Sequence, residues 1–219
     1  MTYEWDFAFL LQYKGLIAIG ALYTIGFTIV TAIAGFVVGG LIAVARLANA
    51  RVVTIPLLAF IEIFRCTPVL VQLVWIYYAL PIVIGVELKP ATAAFIALTL
   101  YGASFFAEII RGGIASIDTG QWDAGRALGM RRAALMRRVV LPQALKRMIP
   151  PLVNQVVLQL KNTSLLSVLA VPDLLYQGQL ITSATYKPLE VYTMIAVIYF
   201  IILFPLTTLA HGLERRLAR

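Results

Sequence analysis

Charged residues are scarce in this sequence. Only 13% of its 219 residues are Asp, Glu, Lys or Arg, whereas 61% are hydrophobic, and the mean hydropathy is +0.91. A soluble globular domain has about a quarter charged residues and about half apolar ones. The composition therefore excludes an ordinary soluble domain and predicts a single membrane domain over residues 1–219.

Several chemical signals are also missing. Cys66 is the only cysteine, so an internal disulfide is excluded. His211 is the only histidine and has no neighbouring ligands in the sequence, so we predict no metal site. The sequence has no G-x-x-x-x-G-K-S/T phosphate loop and no pair of nucleophile and base. We therefore expect no catalytic residues, no cofactor and no ATP bound by this chain itself.

Long apolar runs are what the sequence has instead. About 20 mostly apolar residues cross the hydrocarbon core of a bilayer, and five regions qualify: 16–44, 55–86, 91–110, 149–169 and 191–209. Pro68 interrupts the second region, because proline disfavours a continuous helix. We expect an amphipathic segment over 55–64 and a span over 68–86.

Basic residues concentrate in particular connections. Thirteen of the 18 lysines and arginines fall in residues 46–54, in residues 111–148 and in the tail after Leu209. By the positive-inside rule these parts are cytoplasmic. The sequence thus predicts an all-α polytopic membrane protein with about five transmembrane helices, the N-terminus outside and the C-terminus cytoplasmic. The net charge of +8 reflects this topology, and we expect no nucleic acid partner.

Glycines are spaced regularly in the first apolar region. Gly35, Gly39 and Gly40 place small residues on one face of a helix, which is typical of a helix-pairing surface. Glycine is also simply frequent in membrane spans. We weigh these two explanations equally.

The longest cytoplasmic connection covers about residues 112–142 and predicts two short helices separated at Gly129. We place Asp123 near the start of the first, where a carboxylate suits the helix dipole, and Gly129 at its left-handed end. Small or apolar side chains interrupt the charge at Ala124, Ala127, Leu128 and Met130. A short apolar helix outside the membrane is expected to occupy a partner's groove.

The spacing of this connection resembles the EAA loop of bacterial ABC importer permeases, which runs E-A-A, three residues, G, nine residues, I-x-L-P. This sequence has Asp123-Ala124-Gly125, then Gly129, then Val139-Val140-Leu141-Pro142 at the same spacing. Asp replaces Glu, Gly replaces the second Ala, and Val replaces Ile. Gly in place of Ala weakens helix propensity by up to about 1 kcal/mol.

Three further stretches resemble the polar amino acid family of these permeases, which includes histidine, glutamine and arginine permease subunits. Residues 62–72 are similar to E-x-F-R-G-T-P-x-L-V-Q, with Cys66 in place of glycine. Residues 108–114 resemble the E-I-x-R-G-G-I approach to the loop, and residues 160–165 resemble L-K-D/N-T-S-L. The four stretches follow one another in the order found in the family.

The resemblance implies a type I permease fold with a cytoplasmic coupling helix, in a multi-pass protein of the bacterial inner (cytoplasmic) membrane. It implies contact with a separate ATPase subunit, which binds the ATP, through Asp123, Ala124, Gly125, Ala127, Leu128, Gly129, Leu141 and Pro142. The other implied partners are membrane lipid, a second identical or homologous permease chain and an external amino acid-binding protein. That protein is expected to meet the outer loops 83–90 and 173–188.

The implied function is that of a membrane-spanning permease subunit of an ATP-driven amino acid importer, which forms the pathway and is not itself an enzyme. The alternative is a stand-alone secondary transporter or channel subunit. Such a protein needs its own coupling-ion site. Glu62 and Glu108 instead lie three residues before Arg65 and Arg111, a spacing that favours helical ion pairs.

Polar residues in the fourth apolar region are candidates for the substrate pathway, because polar groups inside a membrane are costly and commonly functional. Gln155 and Gln159 share one helix face, which Asn162 extends. The predicted pathway set is Gln155, Gln159, Asn162, Thr163 and Ser164. The alternative is that the row only joins neighbouring helices by hydrogen bonds.

Overall fold

The computed structural model of the chain describes residues 3–47 and 50–217, excluding the side chains of residues 214, 216 and 217. Arg219 of the basic tail and two residues of the connection 46–54 lie outside these ranges. All regular structure within them is helical. The helices are α1 Lys14–Arg46, α2 Arg51–Cys66, α3 Val69–Ile84, α4 Pro90–Ala115, α5 Thr119–Ala127, α6 Arg132–Leu169, α7 Leu174–Thr185 and α8 Pro188–Leu217.

Three to five parts of the described chain are long and apolar enough to cross a membrane. Three are single helices, Ala8–Arg46, Pro90–Ala115 and Pro188–Leu213. Two more arise if each bent pair of helices forms one span, α2 with α3 at 110° and α6 with α7 at 44°. The all-α polytopic fold with about five spans is therefore confirmed.

The break between α2 and α3 lies at Thr67 and Pro68, where both residues have extended backbones. The Gln72 side chain donates to the carbonyl of Phe64 at 2.8 Å and to that of Thr67 at 3.0 Å, which satisfies the open end of α2. The predicted division of this region is confirmed. The amphipathic part, Arg51–Cys66, is longer than the predicted 55–64.

The glycine face of α1 packs directly against α4. A Cβ atom on Gly39 would lie 2.7 Å from the carbonyl oxygen of Ala103, and one on Gly35 would lie 3.2 Å from that of Thr99. Gly40 has open space, with Ile110 Cδ1 at 3.9 Å as its nearest neighbour. Gly35 and Gly39 thus form a helix-pairing surface, and Gly40 does not contribute to it.

The predicted outer loop 173–188 is mostly a helix. The buried Asp173 side chain caps α7 by accepting the amides of Leu175 at 3.2 Å and Tyr176 at 2.9 Å. Leu174 and Ile181 of this helix are buried in a cluster with residues of α8. The expectation of a loop here was wrong because a 12-residue helix with several polar residues lacks the apolar length of a span.

The N-terminal segment is fixed to the start of α8. Lys187 Nζ donates to Asp6 Oδ2 at 2.6 Å, and Tyr3 OH donates to Glu190 Oε2 at 2.6 Å. The hydrogen bond from Lys187, followed by that from the Ala8 amide, lowers the pKa of Asp6 below its usual range. Both partners of the ion pair are about half exposed, so its contribution is modest.

Candidate functional site

The connection between α4 and α6 contains the short helix α5. Asp118 caps its start, where Oδ1 accepts a backbone amide of the first turn at 2.7 Å. At its end Gly129 has a φ of +70°. Gly129 N donates to Arg126 O at 2.9 Å, and Met130 N donates to Gly125 O at 3.0 Å. These two bonds form a Schellman motif, so the predicted end at Gly129 is confirmed.

The sequence predicts Asp123 near the start of α5. In the structure Asp118 occupies the N-cap position instead. Asp123 lies in the second turn and pairs with Arg126 at 3.3 Å. Both side chains are about 70% exposed, so this pair contributes about 1 kcal/mol or less. The carboxylate is therefore accessible on the surface of α5 and not engaged by the helix end.

The outward side of α5 is apolar at its C-terminal half. Ala124, Ala127 and Leu128 are exposed, and Leu128 exposes 80% of its surface. We call these three residues, together with Asp123, the outward face of α5. A leucine this exposed at the end of a short helix is a natural contact for a partner's apolar groove.

The inward side of α5 is fixed to α6. Gly125 is buried, and a Cβ atom on it would lie 2.2 Å from Cδ1 of the buried Leu135. Trp122 and Met130 pack around the same cluster. Gly125 therefore lies on the side of α5 that faces α6. It is one of the residues predicted from the sequence to contact the ATPase. The absence of a side chain allows α5 to lie close to α6, which explains glycine where the EAA pattern has alanine.

Two polar contacts join α5 and its approach to α6. Gln143 Nε2 donates to Gln121 Oε1 at 3.2 Å, and the Arg147 guanidinium donates to the carbonyl of Ser116. Gly113 at the end of α4 lies against Met148, whose Cγ would be 2.3 Å from an added Cβ. Both α5 and the end of α4 are thus attached to α6.

Leu141 and Pro142 lie within α6 and not in a loop. A π-helical turn over Met136–Val140 precedes them, in which the Leu141 amide bonds to the Met136 carbonyl. Both residues are exposed, Leu141 by 37%. They lie on α6, a different helix from the outward face of α5, and their contact with the ATPase stays a prediction.

The predicted pathway row on α6 divides in two. Gln155 and Gln159 are buried, and Gln159 Nε2 donates to the Leu98 carbonyl of α4 at 2.8 Å. Thr163 is also buried and donates to the carbonyl of Leu160 at 2.7 Å. Of these three side chains, Gln159 bonds to another helix and Thr163 bonds within α6, so hydrogen bonding between helices is favoured for Gln159.

The adjoining side of α6 carries an exposed polar row, which the apolar Leu158 interrupts. Asn154, Leu158 and Lys161 are exposed at spacings of four and three residues, and Asn162 and Ser164 are partly exposed beside them. Lys161 forms no salt bridge with a described carboxylate. Sequence reasoning left Asn154 and Lys161 out of the predicted set because it followed the glutamines, although positions 154 and 161 are two helical turns apart and share one face.

There is no group of three or more His, Cys, Asp or Glu side chains that could hold a metal ion in residues 3–47 and 50–217. His211 is exposed, and Cys66 is an exposed free thiol. The polar side chains of the described residues instead join neighbouring helices, lie on the outward face of α5, or form the exposed polar row of α6.

Comparison with known proteins gives consistent matches. The family model described as "binding-protein-dependent transport system inner membrane component" matches residues 35–219. The glutamine transport system permease protein GlnP of Escherichia coli is 39% identical over 199 residues, 90% of this chain and 91% of that protein. The L-cystine transport system permease protein TcyB of Bacillus subtilis is 38% identical over 201 residues, 91% of this chain and 86% of that protein.

Solved structures agree with these relatives. The chain matches a crystal structure of an amino acid ABC transporter with histidines at a TM-score of 0.92 and 35% identity, covering 98% of this chain and 100% of that one. It also matches the MetNI methionine ABC transporter in inward-facing conformations at a TM-score of 0.76 and 24% identity, covering 95% and 99%. The second likeness concerns the fold alone.

Proposed function

The chain belongs to the family of binding-protein-dependent transport system inner membrane components, and on that premise we propose that α5 receives the ATP-driven input. The chain is the membrane-spanning permease subunit of an ABC amino acid importer, not an enzyme, and a multi-pass protein of the bacterial inner membrane. This membership excludes the alternative of a stand-alone secondary transporter or channel.

One observation carries the proposal. The outward face of α5 exposes 80% of Leu128 beside two exposed alanines, while the opposite side is held against Leu135. Burying one leucine stabilises an interface by about 1.5–3 kcal/mol. A helix that is rigidly attached inside and apolar outside suits a groove on a partner ATPase subunit.

The ATPase subunits bind and hydrolyse the ATP, and this chain supplies the mechanical connection. Closure of the ATPases moves α5 as a rigid body. The contact between Gly125 and Leu135 passes this displacement to α6, and the bond from Arg147 to Ser116 passes it to the end of α4. The spans then alternate between inward- and outward-facing arrangements.

The orientation and the remaining partners follow from the same proposal. The N-terminus lies outside and the C-terminus in the cytoplasm, because basic residues concentrate on the side of α5. The external binding protein contacts the outer connection at 83–90, where Val83 exposes 73% of its surface, together with the turn that follows α7. A second identical or homologous permease chain completes the pathway.

The exposed polar row of α6 lines that pathway. Asn162 and Ser164 keep their predicted place in it, and Asn154 and Lys161 join them. A lysine ammonium at membrane depth is costly unless it faces water or a partner charge. The carboxylate that every amino acid carries is such a partner, and the neutral amides and hydroxyl suit a polar side chain. Polar amino acids, glutamine among them, are the proposed substrate class.

Replacing Leu128 by aspartate tests the docking face. The change removes the apolar contact and should weaken co-purification of the ATPase subunit at least about tenfold, since tenfold corresponds to about 1.4 kcal/mol. ATP-driven uptake into vesicles should fall in parallel. Ala133→Asp is the matched control, because Ala133 is exposed on the first turn of α6, where a carboxylate suits the helix dipole. Equal binding by both variants would refute the proposal.

A further inference from the structure

A separate cavity lies where the ends of α1 and α4 meet the starts of α2 and α6. Its volume is about 320 Å³, at the lower end of the range for small-molecule sites. Arg46 from α1, Arg111 from α4 and Arg132 from α6 all line it. No acidic residue is among its lining residues. None of these arginines belongs to the outward face of α5 or to the exposed polar row of α6.

The charges around this cavity do not balance. Glu108 accepts from Arg46 and from Arg111, the latter through Nη2 at 2.7 Å and Nε at 2.9 Å. Arg132 forms no salt bridge with a carboxylate of the described residues. The three guanidinium groups that line the cavity are thus matched by one neighbouring carboxylate, which leaves an excess of two positive charges. An anion entering the cavity would compensate that excess.

A buried hydroxyl group points to the same kind of ligand. Thr54 of α2 lines the cavity, and its Oγ1 is inaccessible to solvent and has no hydrogen-bond partner among the described residues. Leaving a buried polar group unsatisfied costs about 1–3 kcal/mol. A rotation of the Thr54 side chain towards the cavity would let this hydroxyl donate to an oxygen atom of a bound anion. The adjoining walls, formed by Ala43 and Ile114, are apolar.

We propose that this cavity binds the phosphate group of an anionic phospholipid headgroup. Guanidinium groups bind phosphate oxygens in pairs. Basic pockets between membrane helices at the level of the headgroups are recognised lipid sites. The cavity lies at the ends of α1 and α4, both of which are long enough to span the bilayer, and its apolar walls suit the glycerol and upper acyl carbons. Free inorganic phosphate shares the same anionic chemistry and is the second source to be distinguished.

Native mass spectrometry of the full-length chain, in the complex that it forms in cells, measures this binding. Phosphatidylglycerol should add in a saturable manner, whereas phosphatidylcholine, whose headgroup is neutral overall, should bind at least about tenfold more weakly. Inorganic phosphate at millimolar concentration should not displace the lipid. If inorganic phosphate alone binds with equal strength, the lipid assignment is overturned.

Two variants locate the site without disturbing the bonds of Glu108. Arg132→Gln should weaken phosphatidylglycerol binding roughly tenfold, as expected for one lost charge-assisted hydrogen bond. Arg138→Gln is the matched control, because Arg138 is exposed on the same helix and does not line the cavity. Equal affinities of these two variants would overturn the proposal.

Thr54→Val separates a ligand site from an empty packing defect. In the lipid-free protein the change removes an unsatisfied hydroxyl, so the melting temperature should stay the same or rise. The additional stabilisation by phosphatidylglycerol should shrink, because the hydroxyl no longer donates to the phosphate. If the lipid raises the melting temperature of the variant and of the native protein equally, Thr54 does not contact the lipid and the assignment fails.

Discussion

Replacing Gly39 by alanine tests how strictly α1 and α4 depend on their close approach. The added Cβ would lie 2.7 Å from the Ala103 carbonyl oxygen, 2.8 Å from Phe106 Cβ and 3.0 Å from the Ala107 amide nitrogen. Two of these atoms belong to the backbone of α4 and cannot rotate away. The helices must therefore separate, and a gap of 0.5–1 Å already removes roughly a quarter to a half of the attraction at each contact.

Two opposing effects determine how much Gly39→Ala lowers the free energy of unfolding. Overpacking costs about 1–3 kcal/mol, and the immobile backbone neighbours place Gly39→Ala at the upper end. The better helix propensity of alanine offsets about 1 kcal/mol, which leaves a loss of about 2 kcal/mol. Gly40→Ala retains the propensity gain without the clash, because only Ile110 Cδ1 lies within 4 Å, at 3.9 Å. Of the two neighbouring variants, Gly39→Ala should therefore lose stability, whereas Gly40→Ala should keep it or gain slightly.

Thermal unfolding in detergent measures the difference. A change of 1 kcal/mol shifts the melting temperature by roughly 2–4 °C for a chain of this size. Gly39→Ala should thus melt about 4–8 °C lower than the native protein, and Gly40→Ala should melt at the same temperature or slightly higher. If Gly39→Ala melts like the native chain, or if both variants lose equally, the contact is not as close as described and the reasoning is refuted.

Three other changes test separate parts of the structure. Gly129→Val should reduce coupled uptake and cost about 1–2 kcal/mol, because its left-handed φ disfavours a β-branched residue; Gly129→Asn should be tolerated, and equal uptake by both would contradict this. Gln159→Ala should lower the melting temperature with little change in the KM of uptake, whereas Lys161→Gln should raise that KM at unchanged stability. If Gln159→Ala instead raises the KM and Lys161→Gln lowers the melting temperature, Gln159 lines the pathway and the assignment is wrong. Asp6→Asn should increase hydrogen exchange of the N-terminal segment at pH 7. Because Lys187 lowers the pKa of Asp6, the ion pair is intact above the ordinary pKa of 3.8 and is lost as pH falls through the lowered value. If the native protein already loses protection of the N-terminal segment at pH 5, relative to its protection at pH 7, this reasoning is contradicted.

Local signals in the sequence predict much of the fold. Apolar length alone locates the regions that cross the membrane, and Pro68 locates the break between α2 and α3, because its effect on the helix is local. The helix α7 is missed because it is short and partly polar, so apolar length does not reveal it. Asp173 directly before that helix is a start signal that local reasoning can use.

The candidate site is predictable in its spacing but not in its orientation. The position of Gly129 follows from the chain itself, since a left-handed helix end needs no distant partner. The inward orientation of Gly125 depends on Leu135, which lies on another helix. In the same way, periodicity places Gln155 and Gln159 on one face of α6. Only the packing of α4 decides that this face is buried and that Lys161 lies on the exposed one.

The two π-helical turns among residues 3–47 and 50–217 share a local cause with consequences for coupling. Each turn ends directly before a Leu-Pro pair, at Leu80-Pro81 in α3 and at Leu141-Pro142 in α6. A proline ring clashes with the carbonyl four residues earlier, and widening the preceding turn removes that clash. In α6 the widened turn lies between Leu135, which contacts α5, and the membrane-embedded half of the helix. Any displacement of α5 that α6 carries into the membrane therefore passes through a segment whose backbone hydrogen bonds already depart from the α-helical pattern.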